Sequence, residues 1–127
     1  MVPTGDPTAA FLEDLAARGH DPLVLRANGT LRIDLLDDGD LDRWYVTLAK
    51  GDIRVARRGG KADAVLRTER SLFDGMVQGK VNAMAALLRN VLHVEGDLGL
   101  VTLFARLLPG PPASQRSFLE RQKELNR

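Results

Sequence analysis

The sequence predicts an α+β fold: a single domain whose five-stranded, mainly antiparallel sheet is covered on one face by helices. Its length of 127 residues suits one hydrophobic core. Apolar and polar residues alternate in short runs between residues 29 and 68, which is typical of strands with one buried face. From residue 71 onward the apolar residues recur mostly at helical spacing, so the second half of the chain is expected to supply the cover.

Composition and charge argue against several classes of function. Apolar residues make up 44% of the chain and charged residues 28%, and the formal net charge of +1 lacks the basic excess typical of nucleic-acid binding. The chain has no cysteine, which removes disulfides, thiolate nucleophiles and thiolate metal ligands. Because neither a secretory signal nor a membrane-spanning apolar run is recognisable, we expect a cytoplasmic protein.

An amphipathic helix is predicted near the N-terminus, from about residue 8 to residue 18. Pro7 suits its first turn, Phe11 and Leu15 share its apolar side, and Gly19 ends it. The polar side is mostly acidic rather than rich in Lys and Arg. We therefore expect this helix to pack on the domain instead of lying on an anionic membrane.

Four strands are predicted in succession. Asn28-Gly29, residues 37–40 and Lys50-Gly51 signal tight turns, and residues 58–61 predict another short connection, to a strand at 63–68. Parallel neighbours need a longer crossover, so this succession predicts an antiparallel meander. Polar residues on one face of these strands are expected to meet water: Arg32, Asp34, Tyr45, Thr47, Arg54 and Arg67.

The segment from residue 71 to residue 109 is unusually apolar. Ser71 and Asp74 predict a capping box for a short helix, Asn82 is expected to cap a second, and a fifth strand follows at 92–95.

The last predicted helix, from residue 98 to residue 108, carries apolar residues over more than one stripe. That surplus predicts burial on two sides or a cavity wall, although periodicity alone leaves plain core as an alternative.

Groups that could carry catalysis or hold a metal are few. His20 and His93 have no ligand spacing to each other, and His93 is expected to share the water-facing side of its strand with Glu95. The run Glu95-Gly96-Asp97 fits a strand-to-helix turn in which Asp97 caps the last helix. We therefore predict no catalytic residue, no metal site and no cofactor.

The order of these motifs resembles the sterol carrier protein type 2 family. The likeness lies in a Trp-x-Val-x-Leu strand beginning at Trp44, the strand at 63–68, a helix closing on Gly79-Lys80, and the segments 82–88 and 92–97. It extends over most of the chain. The resemblance implies an apolar tunnel between sheet and helices that binds fatty acids, fatty acyl-CoA, sterols or other lipids, without chemistry of its own.

We therefore predict a non-enzymatic lipid carrier that transfers a lipid within the cell or presents it to a lipid-metabolising enzyme, with transient membrane contact and no nucleic-acid partner. The alternatives are an accessory module that docks on such an enzyme through its polar sheet face or its tail, and a small acyl-processing enzyme using His93 or Asp97. Frequent Ala, Arg, Gly and Leu are typical of bacterial proteins.

The predicted domain covers residues 1–127, with sheet and helices at about 29–109 and a polar tail at 110–127. The residues expected to form the lipid-binding wall are Trp44, Val46, Phe73, Met76, Val77, Met84, Leu87, Leu88, Leu103, Phe104 and Leu107.

Overall fold

The computed structural model describes residues 6–109, so the predicted tail at 110–127 lies outside the described residues. The sheet order is β3-β2-β1-β4-β5, with β1 and β4 parallel and the other neighbours antiparallel. In chain order the elements are α1 (Pro7–Arg18), a 3₁₀ turn (Pro22–Val24), β1 (Asn28–Asp37), β2 (Asp40–Ala49), β3 (Asp52–Ala56), β4 (Ala64–Glu69), α2 (Arg70–Val77), α3 (Ala83–Leu88), β5 (His93–Gly96) and α4 (Leu98–Ala105).

The predicted N-terminal helix is confirmed. Asp6 caps α1, because its Oδ1 accepts a hydrogen bond of 3.0 Å from the Ala9 amide, and Pro7 occupies the first turn. The helix ends at Gly19, whose N–H donates to the Leu15 carbonyl. α1 packs against β3 and α2, which buries its apolar side in the core.

Two of the predicted turns are confirmed as two-residue hairpins. Asp38-Gly39 joins β1 to β2 and Lys50-Gly51 joins β2 to β3, with positive φ at all four positions. That pattern matches the right-handed twist of the strands it joins. The turn predicted at Asn28-Gly29 is wrong, because both residues belong to β1 and pair with the end of β2.

The predicted meander is also wrong at its fourth strand. β4 lies beside β1 and runs parallel to it, with Leu31 opposite Ala64. Residues 57–63 therefore cross two strands, a distance of about 14 Å at ~4.8 Å per strand spacing. Seven extended residues reach roughly 23 Å, so no helix is needed in this crossover. It runs over the sheet face opposite the helices, where a Cβ on Gly59 would lie 2.6 Å from the Tyr45 ring.

The sheet has one apolar face, and the helices cover that face, as predicted. Register places side chains of all five strands together on it. They meet the buried side chains of α1, α2 and α4 in one core. The strand residues buried there include Leu31, Ile33, Leu35, Trp44, Val46, Leu48, Ile53 and Leu66.

Asp34 does not meet water as predicted, although it lies on the outward face of the sheet. Its side chain is 0% exposed, because Arg43 and Arg67 stand opposite it on the neighbouring strands and Arg32 reaches it along β1. The Arg43 Nε lies 2.8 Å from Oδ1, and the Nη2 atoms of Arg32 and Arg67 lie 3.0 and 3.2 Å from Oδ2. Tyr45 on the same face is buried as well, beneath the crossover.

The pKa of Asp34 is lowered by these neighbours. Burial acts in the opposite direction and raises it, but the hydrogen bonds from Arg43, Arg32 and Arg67 outweigh burial. The ionised carboxylate is therefore the form that the fold stabilises.

The capping box predicted at Ser71 is wrong. α2 begins at Arg70, so Ser71 lies inside the helix, and Asp74 accepts a hydrogen bond from the Thr8 hydroxyl instead. The predicted caps of the two later helices are confirmed: Asn82 accepts from the Ala85 amide at 2.8 Å, and Asp97 accepts from the Leu100 amide at 3.1 Å.

Gly96→Ala is expected to destabilise the fold by at least about 3 kcal/mol, because Gly96 has a φ of 84° and an added Cβ would overlap the Asp63 carbonyl oxygen. Gly39→Ala is the matched control, since Gly39 has a φ of 90° but no atom within 4 Å of the added Cβ. Backbone strain alone predicts a loss of about 1 kcal/mol there. Urea unfolding followed by circular dichroism measures the stability of both variants. Equal losses of stability would show that the overlap with the Asp63 carbonyl adds nothing to the backbone strain.

Asp34→Asn is expected to lower stability at pH 7 by roughly 1–3 kcal/mol, a range that allows for the partial exposure of the arginines. Because the pKa of Asp34 is lowered in the folded state, its contribution is present above the unfolded-state pKa of about 3.9. That contribution is lost as the pH falls below this value toward the folded-state pKa.

Urea unfolding measures the free energy of unfolding at each pH. The values for wild type and variant should converge as the pH is lowered below about 4. Asp38→Asn, at an exposed turn position, is the control. A constant difference between wild type and Asp34→Asn at all pH values would show that the carboxylate charge is not what stabilises this cluster.

Candidate functional site

An apolar cleft lies between α3 and α4, above the β4 side of the sheet. Its inner part is a cavity of about 30 Å³, whose surface is formed by apolar atoms alone. The residues that line it are Leu66, Met76, Ala83, Met84, Leu87, Leu92, Val101, Thr102, Phe104, Ala105 and Leu108. A water molecule needs roughly 10–15 Å³, so the cavity has room for a few waters at most. The structure therefore does not show the open tunnel that the family resemblance implies.

The cleft widens into an outer groove that opens to solvent. This groove has a volume of about 510 Å³, within the range of roughly 300–1,000 Å³ that is usual for small-molecule sites. One leads directly into the other, because the two share five lining residues: Ala83, Met84, Thr102, Ala105 and Leu108. Three of its lining residues are polar: Thr102, whose hydroxyl donates to the Leu98 carbonyl at 2.9 Å, and Asn82 and Arg106, which border the groove but not the inner cavity. The arrangement offers apolar surface inside and polar groups only at the mouth.

The two walls of the cleft are anchored very differently. α4 buries Leu100, Val101 and Phe104, and the Phe104 ring meets the Phe11 ring edge-on at a centroid distance of 6.5 Å. α3 has six residues, and Ala86 is the one that it buries. Since burial of apolar side chains supplies most of a helix's tertiary stability, α3 is the wall that separates more readily from the sheet.

The structure brings four of the eleven predicted wall residues to the inner cavity: Met76, Met84, Leu87 and Phe104. Of the others, five are buried without lining it: Trp44, Val46, Phe73, Val77 and Leu107. Leu103 borders a separate recess beside Arg26, and the Leu88 side chain is 80% exposed. Lipid contact remains a prediction for all eleven.

Trp44 is held at the opposite side of the core by polar partners. Its Nε1 donates to Asp42 at 3.0 Å, and the Arg57 guanidinium lies 3.9 Å above its ring. Asp42 also accepts from Arg70 at the start of α2. These contacts tie the indole to the junction of β2 and α2, away from the cleft.

Several cavity residues were missed by the sequence prediction. Leu66 lies on the apolar face of β4, and strand alternation could have found it, but alternation does not show which helix covers it. Ala83 and Ala105 border the cleft from facing helices, and their small side chains leave the gap between them. Only the packing of α3 beside α4 shows that these two alanines stand near each other.

Neither histidine borders the cleft. His20 Nδ1 lies 3.0 Å from Asp52 Oδ1 beyond the end of α1, and His93 Nε2 lies 3.3 Å from Glu95 Oε1 on the outward sheet face, as the strand pattern predicts. Within residues 6–109, no three His, Asp or Glu side chains gather as metal ligands would. No helix in that same range has both the length and the apolar character to span a bilayer.

Fold and cleft together define a small α+β domain with an apolar site between its helices and the covered face of its sheet. The family model of the SCP-2 sterol transfer family matches residues 10–109, and the chain belongs to this family.

Known relatives are consistent with this assignment. Peroxisomal multifunctional enzyme A of Dictyostelium discoideum is 26% identical over 99 residues, which cover 76% of this chain but only 22% of that protein. Sterol carrier protein domain 2 of Helicoverpa armigera superposes with a TM-score of 0.66 at 18% identity, covering 84% of this chain and 89% of the other. Palmitated SCP2L2 of Aedes aegypti also gives 0.66, at 15% identity, covering 82% and 96%.

Amide hydrogen exchange is expected to show α3 opening more readily than α4. The reason is that α3 buries one side chain, whereas α4 buries three. We expect protection factors in Ala83–Leu88 at least about tenfold below those in Leu98–Ala105, with the core strand β1 as the internal reference. Equal protection in the two helices would show that α3 does not move separately.

Proposed function

We propose that the protein binds a lipid with its apolar part between α3 and α4, and that it carries this lipid or presents it without changing it chemically. The observation that carries the proposal is the wholly apolar cleft that continues into an open groove with polar groups at its mouth. Membership of the SCP-2 sterol transfer family supports it. So does the structurally similar Aedes aegypti protein, which is described as palmitated.

Binding requires the cleft to widen, because the inner cavity is much smaller than an acyl chain. Transfer of one methylene group out of water is favourable by about 0.8 kcal/mol, so a chain of about a dozen carbons gains roughly 10 kcal/mol before ordering costs. Displacing α3 withdraws one buried side chain of its own, Ala86, and uncovers core residues such as Met76 and Phe104, which the apolar part of the lipid would then cover. A lipid that binds the open arrangement more tightly than the closed one therefore shifts the population of the protein toward the open arrangement.

The mouth of the groove suits the polar end of such a lipid. Asn82 and Arg106 border it, whereas the inner cavity offers no polar surface. A charged head buried without a partner would be strongly unfavourable, so it stays at the mouth while the chain points inward. Fatty acids, fatty acyl-CoA and sterols all have this division into an apolar body and a polar end.

The surroundings of the cleft support carriage rather than catalysis. Moving a chain from a membrane into the protein exchanges one apolar environment for another, so the net free energy is small and the lipid can be released again. The protein would shield the lipid between donor and acceptor, and an enzyme that acts on lipids is the proposed recipient. We infer no reaction at this site, because neither His20 nor His93 reaches the cleft.

The proposal is tested by lipid binding. Protein purified without detergent is examined by native mass spectrometry for bound lipid, and a fluorescent fatty acid is then titrated into delipidated protein. We expect saturable binding at a stoichiometry of one. Absence of both co-purified lipid and saturable binding in folded protein would refute the carrier function.

Met84→Asp is expected to weaken fatty-acid binding about tenfold or more, because Met84 borders both the inner cavity and the outer groove. Leu88→Asp, one turn later on the same helix, is the matched control. Leu88 is 80% exposed and borders neither space, so we expect a change of less than about twofold. His93→Ala should also leave binding unchanged. Equal loss in the two α3 variants would place the ligand elsewhere.

A further inference from the structure

The outward face of the sheet carries a positively charged cluster that the lipid site does not use. We call Arg32, Arg43 and Arg67, set around the buried Asp34, the arginine cluster. Three guanidinium groups face one carboxylate, so two positive charges remain unbalanced. The side chains of the arginines are 25%, 38% and 46% exposed respectively, which means that each guanidinium is in part available to solvent.

Asp34 fixes the orientation of these arginines. Arg32 and Arg43 each direct an Nε and an Nη2 toward its carboxylate, and Arg67 directs one Nη2. Each guanidinium retains N–H donors that do not pair with Asp34, although Arg43 also interacts with the Tyr45 side chain. Because the strands hold the backbone and the carboxylate holds the side chains, little conformational entropy is left to lose on binding. A pre-organised guanidinium array is suited to bidentate pairing with carboxylates.

The surroundings of the cluster extend it into a larger surface. Leu36 and Leu41 stand opposite each other on the same face, beyond Asp34 and Arg43, and are 45% and 46% exposed. On the other side, the crossover that lies over Tyr45 adds the exposed Arg58 and Lys61.

The acidic groups of this face lie at its edges. Glu69 is opposite Leu36 at one corner, and Glu95 pairs with His93 on the edge strand β5. The centre of the face is thus cationic, with an exposed apolar pair beside it. Arginine is enriched at protein interfaces, and the two leucines add apolar area that a partner can cover.

The position of the lipid site favours a protein over a membrane as the partner. The cleft and groove lie on the helix side of the sheet, whereas the arginine cluster lies on the opposite side. A bilayer bound to the cluster would leave the groove facing away from the lipids. A protein bound there leaves the groove free to load and unload. In the Dictyostelium discoideum enzyme, the region similar to this chain makes up only 22% of a larger protein.

We propose that the outward sheet face docks an acidic protein surface, one that presents at least two Asp or Glu carboxylates beside an apolar patch. Arg43 and Arg67 bind the carboxylates, Leu36 and Leu41 contact the apolar patch, and Asp34 is a positioning residue. This proposal stands independently of lipid binding, since no residue of the arginine cluster borders the cleft or the groove.

The test uses a synthetic peptide with the sequence Glu-Glu-Leu-Leu-Glu-Glu as the probe, titrated into isotope-labelled protein at low salt and followed by NMR. We expect shift changes at the amides of β1, β2 and β4 and at the Nε–H groups of the arginine cluster. The same peptide with Gln in place of Glu should bind at least tenfold more weakly. Shift changes confined to the helix side of the domain would overturn the proposal.

Arg67→Gln removes one anchor while Arg32 and Arg43 still hold Asp34, so the variant is expected to fold and to bind the peptide at least fivefold more weakly. Arg89→Gln changes the net charge equally at an exposed position on the helix side and is the matched control. If both variants weaken peptide binding equally, the effect arises from net charge alone, and the proposal of a specific surface is refuted.

Leu41→Gln removes apolar surface without changing any charge, and it should weaken binding of the peptide at least twofold. Vesicles of phosphatidylcholine with 30% phosphatidylglycerol are added in parallel. If the vesicles displace the peptide from wild-type protein and shift the same amides, the face is a membrane surface and the proposed protein partner is wrong.

Discussion

The parallel pairing of β1 with β4 is the constraint on which both surfaces of this protein depend. It makes β1 a central strand, with β2 on one side and β4 on the other. On the outward face, this places Arg43 and Arg67 on either side of Asp34 and so allows a carboxylate to be buried without a helix above it. On the covered face, it places Leu66 of β4 beneath the cleft. In a simple meander β4 would lie beyond β3, and neither site would form.

The proposed lipid site combines close packing with one wall that can move. A cavity of about 30 Å³ keeps the apolar residues close to the packing density of an ordinary core, which protects the free protein from exposing a large apolar surface. The widening that the proposed lipid binding requires depends on α3, which is short and buries a single side chain. α4 provides the fixed wall, since Phe104 is held both by the sheet side of the core and by Phe11 of α1. One firm wall and one weakly held wall fit the proposed carrier, which must release the lipid that it binds.

Much of the fold could be predicted from the sequence, because the signals act over a few residues. The amphipathic pattern of α1, the two glycine hairpins and the caps at Asn82 and Asp97 are local, and all were found where they were expected. The prediction failed at Ser71 because Asp74 has a competing partner in Thr8, 66 residues earlier in the chain. It failed for the fourth strand because a short extended crossover and a hairpin connection have similar glycine-rich sequences.

The sequence by itself determined the class of fold and the one-sided character of the sheet, since both follow from periodicity, and the order of its motifs carried the resemblance to the family. Tertiary structure decided which residues line the cleft and which residues enclose Asp34. Asp34 looks like any solvent-facing strand residue until two arginines from separate strands enclose it. Nothing in the sequence distinguishes Ala83 and Ala105 from other alanines. They line the cleft because their helices lie side by side. Burial and cavity size are properties of groups that meet across the fold, so no local pattern in the chain encodes them.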